Sequence, residues 1–131
     1  MRILNYFEVL KEKEQFPQGK TNINILKLFE QLPEAAFACG YLSPAGKQRK
    51  HWHKTGMDIF IIKEGEGILH TADVDKMSET ASNFENHSVK AGDIYYIGTY
   101  QVHALENSSD IPLIWLNIAP ISHGQSDIFF I

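Results

Sequence analysis

The stretch HWHKTGMD at residues 51–58 sets His51 and His53 on alternate positions and closes on an acid, Asp58. Imidazole nitrogens and carboxylate oxygens are the donors that borderline divalent cations take, so the pattern points first to metal ligation. In a strand, residues i and i+2 project from one face, roughly 6.6 Å apart along the backbone. His51 and His53 then point together and Trp52 points away, and tilting of the rings closes them on one ion with bonds of about 2.0–2.1 Å. Asp58 follows a break at 54–56 and is placed to add a hard oxygen donor. A fourth candidate is His103 in YQVHALEN, fifty residues past His53, which reaches the same point only if two halves of a β-barrel fold face to face.

Such donors must be held by strands, and the surrounding pattern supplies them. TNINILKLFE sets Ile23 and Ile25 in alternation, and in AAFACGYLSP, after Pro33, the residues Phe37, Cys39 and Tyr41 share one parity. SPAGK (43–47) is a turn into the histidine strand, which starts at about Gln48. Beyond the break, Asp58, Phe60 and Ile62 fall on one face of a strand and Ile59 and Ile61 on the other. EGEG (64–67) reads as a turn, and the polar stretch 75–88, lacking periodicity, reads as a loop at a hairpin tip. VKAGDIYYIG, QVHALENSS and PLIWLNIAP give three more strands. About eight short strands separated by Gly, Pro, Asn and Ser, with hardly any helical pattern, predict an all-β sandwich or barrel. YFEVLKEKEQF before Pro17 reads as a short helix or irregular arm.

The spacing of the donors resembles that of the cupin superfamily. Its first motif runs G, five residues, HxH, three or four residues, E, six residues, G. Here Gly46, His51, His53, Asp58 and Gly65 follow that order, with four residues after the first glycine and Asp in place of Glu. The second motif runs G, five residues, PxG, two residues, H, three residues, N. Gly92, His103 and Asn107 occupy its outer positions in register, and Gly98 and Tyr100 stand where the proline and second glycine would be. Two motifs in order are specific where one is weak. The resemblance implies a cupin-type jelly-roll β-barrel as one domain over 1–131, its barrel core about 35–119, with a short N-terminal arm or helix. It implies one divalent metal ion held by His51, His53, His103 and Asp58, the aspartate being one methylene shorter than the usual glutamate and so either a ligand or a group acting through water. Iron, manganese or nickel suit that set best, and zinc and copper are compatible.

Composition narrows the partners. Twelve Lys and Arg against sixteen Asp and Glu give a net charge of −4, with no basic stripe for nucleic acid or an anionic membrane. No apolar run reaches membrane-span length, charges at 11–14 interrupt any signal-peptide core, and a single cysteine, Cys39, fits a reducing compartment. The expectation is a soluble, cytoplasmic protein. No internal repeat, low-complexity tract or helix-turn-helix pattern is present.

Other residues divide between site and scaffold. Arg49 shares the parity of His51 and His53 and is a candidate for orienting an anionic substrate; Tyr41 is a second candidate substrate contact. Phe60 shares the face of Asp58, and Gln101 that of His103, so both are candidate cavity walls, against core packing or, for Gln101, a turn hydrogen bond. His70, His87 and His123 have no motif partner and read as surface or loop residues; Cys39 reads as a small buried hydrophobe. Trp52, Trp115 and the terminal DIFFI exceed what a small barrel needs, which suits a homodimer interface or packing within the chain. Two functions fit: a metal-dependent enzyme acting on a small oxygen-rich molecule, by dioxygenase, isomerase or lyase chemistry, and a non-catalytic module binding a sugar or carboxylate.

Overall fold

The computed structural model describes residues 2–29, 32 and 34–131; Glu30 and Pro33, which flank the first two predicted strands, lie outside them. Ten strands are described: β1 (Asn24–Lys27), β2 (Ala36–Leu42), β3 (His51–Trp52), β4 (Asp58–Glu64), β5 (Glu66–Val74), β6 (Ala81–Lys90), β7 (Ile94–Ile97), β8 (Gln101–Glu106), β9 (Leu113–Ala119) and β10 (Phe129–Phe130). They form two five-stranded antiparallel sheets in the orders β1-β2-β9-β4-β7 and β10-β3-β8-β5-β6. The expected all-β jelly roll with a short N-terminal helix is the fold observed.

The strand alternation read from the sequence decides what lies between the sheets. In β4, Asp58, Phe60 and Ile62 are buried. Ile62 packs with Leu69, Leu105, Leu113 and Trp115 in the main core, where each side chain contributes about 1.5–3 kcal/mol on burial. In β2 the two parities do different jobs. Cys39 and Tyr41 join Leu10, Phe16 and Ile114 beneath the N-terminal arm, while Ala36 and Ala38 line a cavity between the sheets. Gly40 shares the parity of those alanines because the Trp115 ring lies over it; a Cβ there would stand 2.2 Å from the indole. Small residues on this face leave room for the cavity.

The arm itself is a single helix, α1 (Tyr6–Leu10), capped by Asn5, whose side chain accepts hydrogen bonds from the Phe7 and Glu8 N–H groups. A 3-10 turn, Lys13–Gln15, follows it. As expected, Cys39 is fully buried, and burial, reinforced by the Glu64 charge, pushes its thiol up to about 11. The surplus aromatic surface is used within the chain: Phe129 stacks on Trp52 at 4.7 Å between ring centroids, on the outer face of the second sheet.

One element departs from the expectation. Most of the stretch read as a loop at 75–88 belongs to β6, held by backbone pairing to β5 from Glu66↔Lys90 to Val74↔Ala81. Its residues are almost all exposed, so there was no apolar face to alternate, and a register shift between Thr71 and Asp73 with a positive φ at Asn83 breaks the ladder further.

Candidate metal centre

Strand register brings the histidines together. β3 meets β8 with His51 directly opposite His103, their ring centroids 4.2 Å apart. His53 follows β3, its ring 5.2 Å from His51 and 5.3 Å from His103. Asp58 comes from the other sheet, at the start of β4 opposite Ile97 of β7. All four side chains are buried. They line a cavity of about 290 Å³ whose wall also includes Ile23, Phe60 and Trp115.

The protons on the imidazoles are fixed by what the rings touch. Nδ1 of His51 faces the Arg49 carbonyl at 2.8 Å, Nδ1 of His53 the Asp127 carbonyl, and Nδ1 of His103 the Gln101 carbonyl at 3.2 Å. A carbonyl only accepts, so each Nδ1 carries a hydrogen, and Nε2 is the atom each ring has to offer a cation. Ligand atoms of His51, His53 and His103 lie within 4.8 Å of one another, as do those of His53, Asp58 and His123. His103 Nε2 is buried without a hydrogen-bond partner, although Asp58 Oδ2 is 3.1 Å away.

Lone pairs converging on a carboxylate repel one another unless a cation or a proton lies between them. Asp58 Oδ2 stands 3.2 Å from His53 Nε2 and 3.1 Å from His103 Nε2. Adjacent donors of an octahedral ion with bonds of about 2.1 Å are separated by about 3.0 Å. The orphaned nitrogen and these separations therefore suit a divalent ion shared by His53, His103 and Asp58, whose shorter side chain still brings Oδ2 within 3.2 Å of both imidazoles. Burial pushes the Asp58 carboxyl up, but a proton or cation shared with His103, His123 and His53 outweighs burial and holds it well below the usual carboxylate range. His51 is held well below the usual imidazole value by burial first and by the neighbouring His103 second, which keeps it neutral and free to ligate.

Other residues named from the sequence fall differently. Phe60 lines the cavity with its ring edge-on to His103 at 6.0 Å. Tyr41 does not line it: the residue sits on the opposite face of β2, packed with Cys39 under the arm. Arg49 is exposed, with its guanidinium 3.8 Å from the centre of the Phe130 ring. The strand begins only at His51, and the Arg49 N–H turns instead to the Thr21 carbonyl, so strand parity does not extend back to Arg49. Gln101 makes the turn bond, accepting from the Gly98 N–H at 3.1 Å, and lines a separate cleft beside β7. His70, between Asn86 and Glu106, and the exposed His87 lie apart from the cavity.

His123 corrects the sequence reading. It is buried in a 3-10 turn, Ile121–Gly124, after β9, and its ring stacks on His53 at 3.7 Å with an interplanar angle of 3°. Its Nδ1 lies 3.1 Å from Asp58 Oδ1, and its Nε2 meets the Thr55 carbonyl. Burial lowers its proton affinity, yet the contact with Asp58, helped by Thr55 and Asp127, leaves it raised overall.

Asp127 ties the loop between β3 and β4 to the C-terminal segment. Its carboxylate accepts from the Lys54 N–H at 2.7 Å, the Thr55 N–H at 2.9 Å and the Thr55 hydroxyl at 2.6 Å. Burial raises the carboxyl, but these three bonds outweigh it and lower it overall. A carboxyl depressed on folding stabilises above its unfolded value, about 3.9, and that contribution fades as pH falls through the folded value. Asp127→Ala is therefore expected to cost about 2–3 kcal/mol at pH 7, with the gap from wild type narrowing below about pH 4. Denaturant unfolding at the two pH values checks this; a gap that widens in acid contradicts it.

A family model described as Cupin domain matches residues 41–119. Among solved structures, the chain resembles a protein with a double-stranded beta-helix domain from Klebsiella pneumoniae subsp. pneumoniae MGH 78578, with a TM-score of 0.68 and 20% identity over 99% of this chain and 96% of that one. CapF in complex with the inhibitor 3-isopropenyl-tropolone gives 0.70 and 16% over 83% of this chain. Lactobacillus farciminis oxalate decarboxylase, as a formate complex, gives 0.63 and 18% over 85%. The match spans 31% of each of the last two proteins. At these identities the likeness establishes the fold. No curated protein matches the chain.

Proposed function

The chain belongs to the cupin family, and on that premise we propose that it is a divalent-metal-binding enzyme, a single domain acting on a small oxygen-rich organic molecule. One observation carries the reading: three buried histidines turn Nδ1 to backbone carbonyls and bring ligand atoms within 4.8 Å of one another, with Asp58 Oδ2 3.2 and 3.1 Å from Nε2 of His53 and His103. Iron, manganese or nickel suit three imidazoles and a carboxylate best, with zinc and copper compatible. When bound, such an ion supplies Lewis-acid or redox chemistry to an oxygen-bearing ligand.

The chain's own groups prepare the site for that role. The carbonyls of Arg49, Asp127 and Gln101 fix the ring planes of the histidines, a support that tunes both orientation and basicity. Asp58 brings the negative charge that offsets part of a dication. Phe60, Trp115 and Ile23 give the rest of the cavity apolar walls, which exclude water from the body of a bound molecule. Lys20 also borders the cavity; it is exposed, and its Nζ donates to the Gln125 carbonyl at 2.6 Å.

The reading covers dioxygenase, isomerase and lyase chemistry alike and includes a cytoplasmic location and a homodimer. Turnover of a panel of small hydroxy acids, diketones and sugars tests it. The expected rate rises in proportion to bound metal, disappears with a chelator and returns on reloading. Tight binding of metal and ligand with no turnover of any of them would favour a non-catalytic binding module instead.

A further inference from the structure

An aspartate that serves a buried metal has a carboxylate able to rotate, and its neighbours here would turn it away. Oδ2 stands against the Nε2 atoms of His53 and His103 at 3.2 and 3.1 Å, and lone pairs on those nitrogens do not hold it. The group that does hold it grips the other oxygen: His123 Nδ1 lies 3.1 Å from Asp58 Oδ1. His123 is itself fixed on both sides, by its stack on His53 and by Nε2–H donating to the Thr55 carbonyl; because a carbonyl and a carboxylate both only accept, each of its ring nitrogens carries a hydrogen. Thr55 is in turn held through its N–H and hydroxyl by the Asp127 carboxylate.

We propose that His123 is a positioning residue: by donating to Oδ1 it aims Oδ2 of Asp58 at the metal, so the C-terminal segment completes a centre whose ligands all precede it in sequence. The assignment rests on the metal-binding reading above. It also accounts for how an aspartate serves where the family motif carries glutamate: with the carboxylate's rotation fixed, the reach set by β4 suffices.

Titration of the full chain with Co²⁺, followed by dissociation constant and visible absorption, tests this. His123→Ala is expected to weaken binding about 10- to 100-fold, the usual effect of removing a group that supports a ligand. His123→Asn, whose amide nitrogen takes the place of Nδ1, is expected to restore affinity to within a few-fold of wild type. Asp58→Ala with His123→Ala is expected to bind no more weakly than Asp58→Ala alone, because His123 acts only through Asp58. The His123→Ala spectrum should move toward that of Asp58→Ala.

Wild-type affinity in His123→Ala, an asparagine variant as weak as the alanine one at equal thermal stability, or additive losses in the double variant would each overturn the assignment. If the alanine variant does not fold, His123→Phe, which keeps a ring to stack on His53 but has no donor, takes its place in every comparison. A wild-type chain that binds no Co²⁺ would instead remove the metal reading itself.

Discussion

The triple variant His51→Ala, His53→Ala, His103→Ala is expected to fold and to retain no divalent metal under conditions that load the wild-type chain. Binding energies of structural zinc sites, about 10–16 kcal/mol over four ligands, assign roughly 3 kcal/mol to each donor. One lost imidazole then costs about two decades of affinity, and three leave a single carboxylate with no useful affinity. Folding should survive because β3 and β8 are held by their backbone ladders, and because removing the three rings also removes buried polar nitrogens that need a cation or a proton to relieve them. Metal analysis after dialysis, alongside circular dichroism, reads both halves of the expectation. Equal metal content in variant and wild type would end the account.

The second large effect is structural. Gly65 closes the first motif at the turn between β4 and β5, with φ at +83°. A Cβ there would stand 2.3 Å from the Pro112 carbonyl oxygen and 3.2 Å from the Leu113 Cα, both backbone atoms at the entry to β9. Neither atom can move without shifting the strand that carries Trp115. Left-handed backbone costs a residue with a Cβ about 1–2 kcal/mol, and the overlap adds about 1–3 kcal/mol. Gly65→Ala should therefore lose about 2–5 kcal/mol, on the order of 10 °C in Tm.

Gly92, which opens the second motif, is the control. Its φ is +97°, but a Cβ there meets nothing within 4 Å. Gly92→Ala should show only the conformational cost, about 1–2 kcal/mol. Equal losses at the two glycines would mean that the crowding against Pro112 has no energetic weight.

Much of this was legible in the sequence because both motifs encode local rules. HxH keeps its two rings together through extended-chain parity although β3 ends at Trp52, and the glycines mark turns, so the meeting of His51, His53, His103 and Asp58 and the barrel around them could be read from spacing. Phe60 followed from the parity of Asp58 by the same rule. The rule failed where the strand it presumed was absent: Arg49 precedes β3, and its backbone turns to Thr21. Tyr41 carried its own warning, since it shares parity with Cys39, and the face that buries a thiol under the arm cannot also line the cavity.

His123 left no such trace. Asp58 lies 65 residues before it, and no periodicity places its 3-10 turn; only the folding of the C-terminal segment back onto β3 brings the two together. β6 escaped for the opposite reason, being a strand aligned on β5 by its backbone ladder whose side chains, Val89 apart, are exposed or half-buried and so show no alternation.

The central claim, that four donors from two sheets share one ion, is tested most directly by an anomalous difference map from crystals soaked in Mn²⁺. The account predicts a strong peak about 2.0–2.2 Å from Nε2 of His51, His53 and His103 and from Oδ2 of Asp58. A map with no density at that point, or with the ion bound elsewhere while the three imidazoles stay unligated, would contradict it.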